Sequence, residues 1–150
     1  MTLIPGSIEN KLKLKKAIEN SDDPFELIEA LLIAFCTVSS SLKFLYKMGE
    51  HGSILFYPQM SSDGTIIIKR IQKKAYSFKN FEKLKLVDTT GAGDSFTATF
   101  SYGLLQSPVL DMDTRIKSAM ELATKAAFLT ISRQGAAPAM PFLDEINTIF

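Results

Sequence analysis

Read for its hydrophobic and polar positions, the chain divides into a helical stretch, a β-rich stretch and a second helical stretch. Ser21-Asp22-Asp23-Pro24 followed by Glu26 is a helix start, with Asp23 as cap, Pro24 at the first helical position and Glu26 reaching back toward the free amides. A helix is predicted from Pro24 to about Cys36. Leu42–Met48 is rich in aromatic and aliphatic residues, and Gly49-Glu50-His51-Gly52 punctuates it before Ser53–Tyr57. That pattern predicts strand, turn, strand. Ser61-Ser62-Asp63-Gly64 is a further turn, and the β-branched run Thr65–Ile71 predicts another strand. Short strands are expected to lead on to Val87.

From Asp94 the period changes. Phe96, Phe100, Leu104 and Leu105 recur at helical spacing up to the Ser107-Pro108 break. A second helix is predicted from about Asp113 to Ser132, with Ile116, Met120, Ala123, Ala127 and Phe128 on one face and Gly135 just past its end. Its small residues Ala123, Ala126 and Ala127 allow close approach. Pro138 and Pro141 bracket a connector, and Phe142–Phe150 is expected to be a short terminal helix. The sum is α/β, a single domain over residues 1–150, and in such sheets ligands bind at the carboxyl ends of strands.

Composition narrows the classes of function. Hydrophobic residues make up 46%, enough for a real core. The 17 Lys plus Arg against 16 Asp plus Glu leave +1, so no global field draws the chain to nucleic acid or an anionic membrane. The basic cluster Lys69, Arg70, Lys73, Lys74, Lys79, Lys83 and Lys85 is accordingly read as a solvated face or a rim steering an anionic ligand. Cys36, the single cysteine, is expected to be a small core residue. No apolar run is long enough to span a membrane and no secretory signal opens the chain, so a cytoplasmic protein is expected.

The chemistry concentrates in Leu86-Val87-Asp88-Thr89-Thr90-Gly91-Ala92-Gly93-Asp94-Ser95-Phe96. Here a strand is expected to end, two glycines permit a tight turn, and a helix begins with unpaired amides pointing outward. Such amides and the helix dipole stabilise a phosphate, and the glycines admit close approach of the backbone. The segment fits neither the P-loop nor the dinucleotide fingerprint, since Phe96 stands where the latter needs a third glycine. It adds a carboxylate, Asp94, able to accept a hydroxyl proton as that hydroxyl attacks a γ-phosphate. The alternative is that Asp94 is only a helix cap.

Val87–Phe96 resembles the C-terminal signature of the ribokinase-like (PfkB-type) carbohydrate kinases. Lys47–Ser53 resembles that family's strand and Gly-x-x-Gly turn at the nucleotide, and Arg133–Pro141 resembles the tail of the ribokinase branch. The resemblance implies the C-terminal half of a three-layer αβα, Rossmann-like sheet fold. It also implies an ATP-dependent sugar kinase using Mg2+, with Asp94 as base, the amides of Ala92, Gly93 and Asp94 forming the anion hole, and Gly91 in the same catalytic turn. ATP would lie between Gly49, Glu50, His51 and Gly52 and the helix around Ala123, Thr124 and Ala127. A monovalent cation, K+, would sit at Asp88, Thr90, Thr130, Arg133, Gly135 and Ala139, the last in place of the family's usual Ser. Glu9 in Gly6-Ser7-Ile8-Glu9 matches the acid of the family's magnesium-associated Asn-x-x-Glu, without its Asn.

The resemblance leaves out the family's N-terminal, sugar-binding half, so the chain is expected to be the C-terminal portion of a longer kinase, or to pair with a partner or a second copy. Ribose is the favoured substrate on the tail around Gly135, with fructose or a nucleoside as alternatives. A nucleotide-binding or regulatory module without catalysis is the reading from a different class.

Overall fold

Asp23 begins the first helix as its sequence requires: its Oδ1 accepts the Phe25 amide at 2.8 Å, and Pro24 follows in the position where a missing N–H costs nothing. In the computed structural model this helix, α1, runs Pro24–Phe35. The structure describes residues 12, 16, 23–35, 42–64, 66–106 and 111–150, so Glu9, Cys36 and the Ser107-Pro108 break lie outside the described residues. The chain forms two compact units, Met1–Tyr46 with Ile54–Arg70, and Lys47–Ser53 with Ile71–Phe150.

In the first unit Ile28 and Leu32, one helical turn apart, are buried. Three strands, β1 (Phe44–Lys47), β2 (Ser53–Met60) and β3 (Ile66–Lys73), form a sheet in the order β1-β2-β3. Their connections are too short for a crossover, so the described sheet is an antiparallel meander. The middle strand is buried from Ser53 to Tyr57, whereas Phe44 and Ile67 on the outer strands stay exposed. Phe25 meets the Tyr46 ring edge-on at 6.0 Å and the Phe56 ring at 5.8 Å, and Glu29 pairs with Arg70 at 3.5 Å.

The second unit departs from the predicted strands. Among the described residues none between Lys74 and Gly91 is in a strand. Backbone donors must be satisfied somewhere. The amides of Val87 and Asp88 both find Ile131 O, at 2.9 and 3.3 Å, so this segment lies along a helix C-terminus instead of a neighbouring strand.

Three helices follow: α2 (Ala92–Gln106), α3 (Met112–Thr130) and α4 (Leu143–Ile149). Asp111 caps α3, its Oδ1 accepting Thr114 N at 3.1 Å. The predicted core face of α3 is largely correct, with Ile116, Met120, Ala123 and Phe128 buried. Its close approach to α2, however, is made at Ala119, whose Cα would lie 2.9 Å from a Cβ placed on Gly103. Ala126, Leu129 and Ile146 form a core with Leu84, Leu122 and Phe150 packed against it. The rings of Tyr76, Phe81, Phe128 and Phe150 pack around one another. No helix among the described residues is long and apolar enough to cross a membrane.

Candidate active site

Every described candidate residue falls within the second unit. The glycine turn is built by packing as much as by φ. Gly91 adopts φ +79°, and a Cβ there would meet Ala136 Cα at 2.9 Å, so the turn is pressed against the backbone of the 133–139 segment. Ser95 N donates to Gly91 O at 2.9 Å and Ala92 N to Thr89 O at 3.3 Å. Among the described residues the amides of Gly93 and Asp94 have no acceptor. Two orphan donors therefore open the helix, with Ala92 turned partly inward.

Asp94 is exposed and sits inside the first turn of α2, whose first residue is Ala92. Among the described residues its carboxylate accepts no main-chain amide, so it is not the helix cap; it stands at the positive end of the helix dipole, solvent-facing.

Asp88 ties the turn to the segment beyond α3. Its Oδ1 accepts Thr90 N at 2.9 Å, and its Oδ2 accepts Gly135 N at 2.9 Å and Gln134 Nε2 at 3.0 Å. Hydrogen bonding from Thr90, side chain then amide, and from the Gly135 amide holds the Asp88 carboxyl below the usual carboxylate range. Arg133 is engaged away from this acid. Its guanidinium meets Glu145 of α4 at 2.8 Å, and Glu145 also accepts Phe142 N at 2.7 Å; Arg133 first, then that amide, depress the Glu145 pKa. Thr130 is buried, its hydroxyl donating to Ala126 O at 2.9 Å, and Ala139 is buried as well. Thus Asp88, Thr90, Gly135 and Gln134 are brought together, whereas the side chains of Thr130 and Arg133 are bonded elsewhere and that of Ala139 has no polar atom.

The Gly49–Gly52 turn closes with Met48 N donating to Gly52 O at 2.8 Å. Gly52 is locked by contact: a Cβ there would overlap Lys73 O at 2.0 Å. Glu50 and His51 are both exposed and 3.9 Å apart. Of the helical candidates Ala123 and Thr124 are buried, with the Thr124 hydroxyl donating to Met120 O at 2.7 Å, and only Ala127 keeps partial exposure.

Sequence reasoning gives no role to Lys47. Its Nζ donates to Gly93 O at 3.1 Å and to Thr97 Oγ1 at 3.0 Å, joining the approach to the Gly49–Gly52 turn to the first turn of α2. Only its place just ahead of the Gly-x-x-Gly turn could mark it. No group of three or more His, Cys, Asp or Glu able to hold a metal occurs among the described residues. An apolar hollow lined by Phe81, Leu84 and Ile149 contains none of the candidate residues.

Residues 27–143 match the pfkB family carbohydrate kinase. The chain is similar to a ribokinase of Dictyostelium discoideum, 31% identical over 88 residues that cover 59% of this chain and 26% of the relative. It is also similar to a probable fructokinase-7 of Arabidopsis thaliana, 36% identical over 72 residues, 45% of this chain and 20% of the relative. Among solved structures it resembles Arabidopsis thaliana ribokinase complexed with ribose and ATP, at TM-score 0.61 and 25% identity, over 85% of this chain and 34% of that one. The matched stretch thus spans only a fifth to about a quarter of the length of these curated relatives. With a family match across most of its residues, an α/β content and a fold shared with part of a ribokinase, the chain belongs to the pfkB family of carbohydrate kinases.

Proposed function

We propose that this chain carries the phosphoryl-transfer end of an ATP-dependent sugar kinase. The observation that supports this most is the pair of acceptor-free amides at Gly93 and Asp94, among the described residues, beside the exposed Asp94 carboxylate. In the proposed reaction the sugar hydroxyl oxygen forms a bond to the γ-phosphorus while the bridging P–O bond breaks and ADP leaves. Asp94 takes the hydroxyl proton, and the Gly93 and Asp94 amides, with Ala92 beside them, stabilise the phosphoryl oxygens. A general base of this kind contributes roughly 10²–10⁴ in rate.

Nucleotide binding is assigned to the Gly49–Gly52 turn with Glu50 and His51 and, on α3, to Ala127, with Ala123 and Thr124 shaping the surface from beneath. Mg2+ fits as a companion of the nucleotide phosphates, which is how this ion usually binds, because the described residues offer no cluster of acids to cage it. On the family resemblance we assign a monovalent cation to the Asp88 carboxylate and the main chain at Thr90, Thr130, Arg133, Gly135 and Ala139; it would supply fixed positive charge behind the anion hole. The side chains of Thr130, Arg133 and Ala139 add no oxygen to that set, since the first donates to Ala126, the second pairs with Glu145 and the third has none.

Ribose is the favoured sugar, supported by the Arg133–Pro141 tail and by the ribokinase relatives; a fructose kinase is the alternative on the fructokinase relative. ATP binding and sugar phosphorylation measured on one sample test the proposal. Both together support the kinase. Binding without turnover would instead favour a nucleotide-binding module.

A further inference from the structure

Gly52 is seated on a stretch of chain that is itself held from α3. With φ +95° it leaves no room for a side chain: a Cβ there would meet Lys73 O at 2.0 Å, Ala75 N at 2.9 Å and Lys74 Cα at 2.9 Å. The backbone of 73–75 therefore runs directly against the end of the Gly49–Gly52 turn.

Lys73 and Tyr76, at the two ends of this stretch, share one acceptor. The Tyr76 hydroxyl donates to one carboxylate oxygen of Glu121, and Lys73 Nζ pairs with the other. Lys73 Nζ also stands 5.2 Å from the centre of the Tyr76 ring. Glu121 has a partner on its own helix, Lys125, one turn along and 3.8 Å away, which is the pairing that helix spacing alone favours. Its shorter contacts nevertheless go to Lys73 and Tyr76, outside the helix. With side-chain exposures of 30% for Lys73 and 36% for Glu121, the pair is screened less than a fully solvated one.

α3 also carries Ala123, Thr124 and Ala127, and Glu121 lies just ahead of them. We infer that Glu121 is a positioning residue for the nucleotide: through Lys73 and Tyr76 it fixes where the Gly49–Gly52 turn stands relative to α3, and so the width of the space between them. This rests on the nucleotide reading of that turn and helix. The Gly91–Asp94 turn is held by a different acid, Asp88, so its geometry does not depend on Glu121.

The test compares Glu121→Leu, Tyr76→Phe and Asp111→Ala with wild type by NMR of the unliganded proteins, thermal melting and calorimetric titration of ATP. Asp111→Ala is the stability control, since it removes the cap of α3 and its carboxylate bonds Thr114. Glu121→Leu is expected to move the His51 and Gly52 amide signals, to leave those of Gly93 and Asp94 in place, and to weaken ATP by roughly tenfold, the scale of losing an outer group that orients a binding group. Tyr76→Phe keeps the ring among Phe81, Phe128 and Phe150 and should shift both readouts the same way by less; it carries the test if Glu121→Leu does not fold. Asp111→Ala should lower the Tm and bind ATP as wild type does. Unmoved His51 and Gly52 amides, unchanged ATP affinity, or an equal loss of affinity in Asp111→Ala would overturn the inference and leave Glu121 a structural tie. Failure of wild type to bind ATP would remove the nucleotide reading and this inference with it, whereas wild-type binding undisturbed by Glu121→Leu removes this inference alone.

Discussion

The Asp88 carboxylate accepts the amide of Gly135 at 2.9 Å, joining residues 47 positions apart that flank α2 and α3 in the chain. The same carboxylate holds Thr90 N, so a single acid fixes the approach to the glycine turn and the segment packed beneath it. The turn's shape therefore depends on the ionisation of Asp88.

That dependence has a sign. Because the folded pKa of Asp88 is lowered, its contribution is present above the unfolded carboxylate pKa and is lost as pH falls through the folded value. Acidification is expected to release the Gly135 and Thr90 amides together. In an NMR titration their two amide shifts should move with one midpoint, below the usual aspartate range; separate midpoints would break the shared clamp.

Gly91→Ala should destabilise the protein more than Gly64→Ala. Both residues have positive φ, +79° and +83°, and a non-glycine residue there costs on the order of 1–3 kcal/mol. A methyl group added at Gly64 would meet nothing within 4 Å, whereas one added at Gly91 would be driven into Ala136. Denaturant midpoints measured side by side read the difference, and equal losses would mean that the Ala136 contact yields without cost.

The Tyr76 phenol should ionise well above the usual tyrosine range. Burial, then its bond to Glu121, pushes its pKa from 10.0 to about 12. A raised folded pKa gives stability that is complete below the unfolded value and lost as pH rises through the folded one. Ultraviolet titration compared with Tyr76→Phe should assign a late phenol to this residue, and Glu121→Gln should move it earlier by removing the neighbouring negative charge.

The parts of the fold legible in the sequence are those set by neighbours along the chain. Asp23-Pro24 announces α1, the Gly49–Gly52 and Ser61–Gly64 turns announce the strands between them, and the apolar face of α3 follows from its period. The 74–91 segment escapes such a reading because a strand is a property of two segments. Its apolar residues suit a strand, but Val87 and Asp88 meet Ile131 instead. The same limit applies at the site. Gly91–Asp94 is visible as a local motif, whereas Lys47 reaches Gly93 across 46 positions and no spacing rule connects them. The pairing of Asp88 with Gly135 is suggested by family resemblance, not by any periodicity.

Asp94→Asn is the most direct test of the central claim. The side chain is exposed and caps no described amide, so the substitution should leave the fold and ATP affinity nearly unchanged. Measured with sugar and ATP, turnover should fall by roughly 10²–10⁴ while the dissociation constant for ATP stays within a factor of about two to three. Turnover equal to that of wild type, or parallel loss of turnover and ATP binding, would contradict the role of Asp94 as the base.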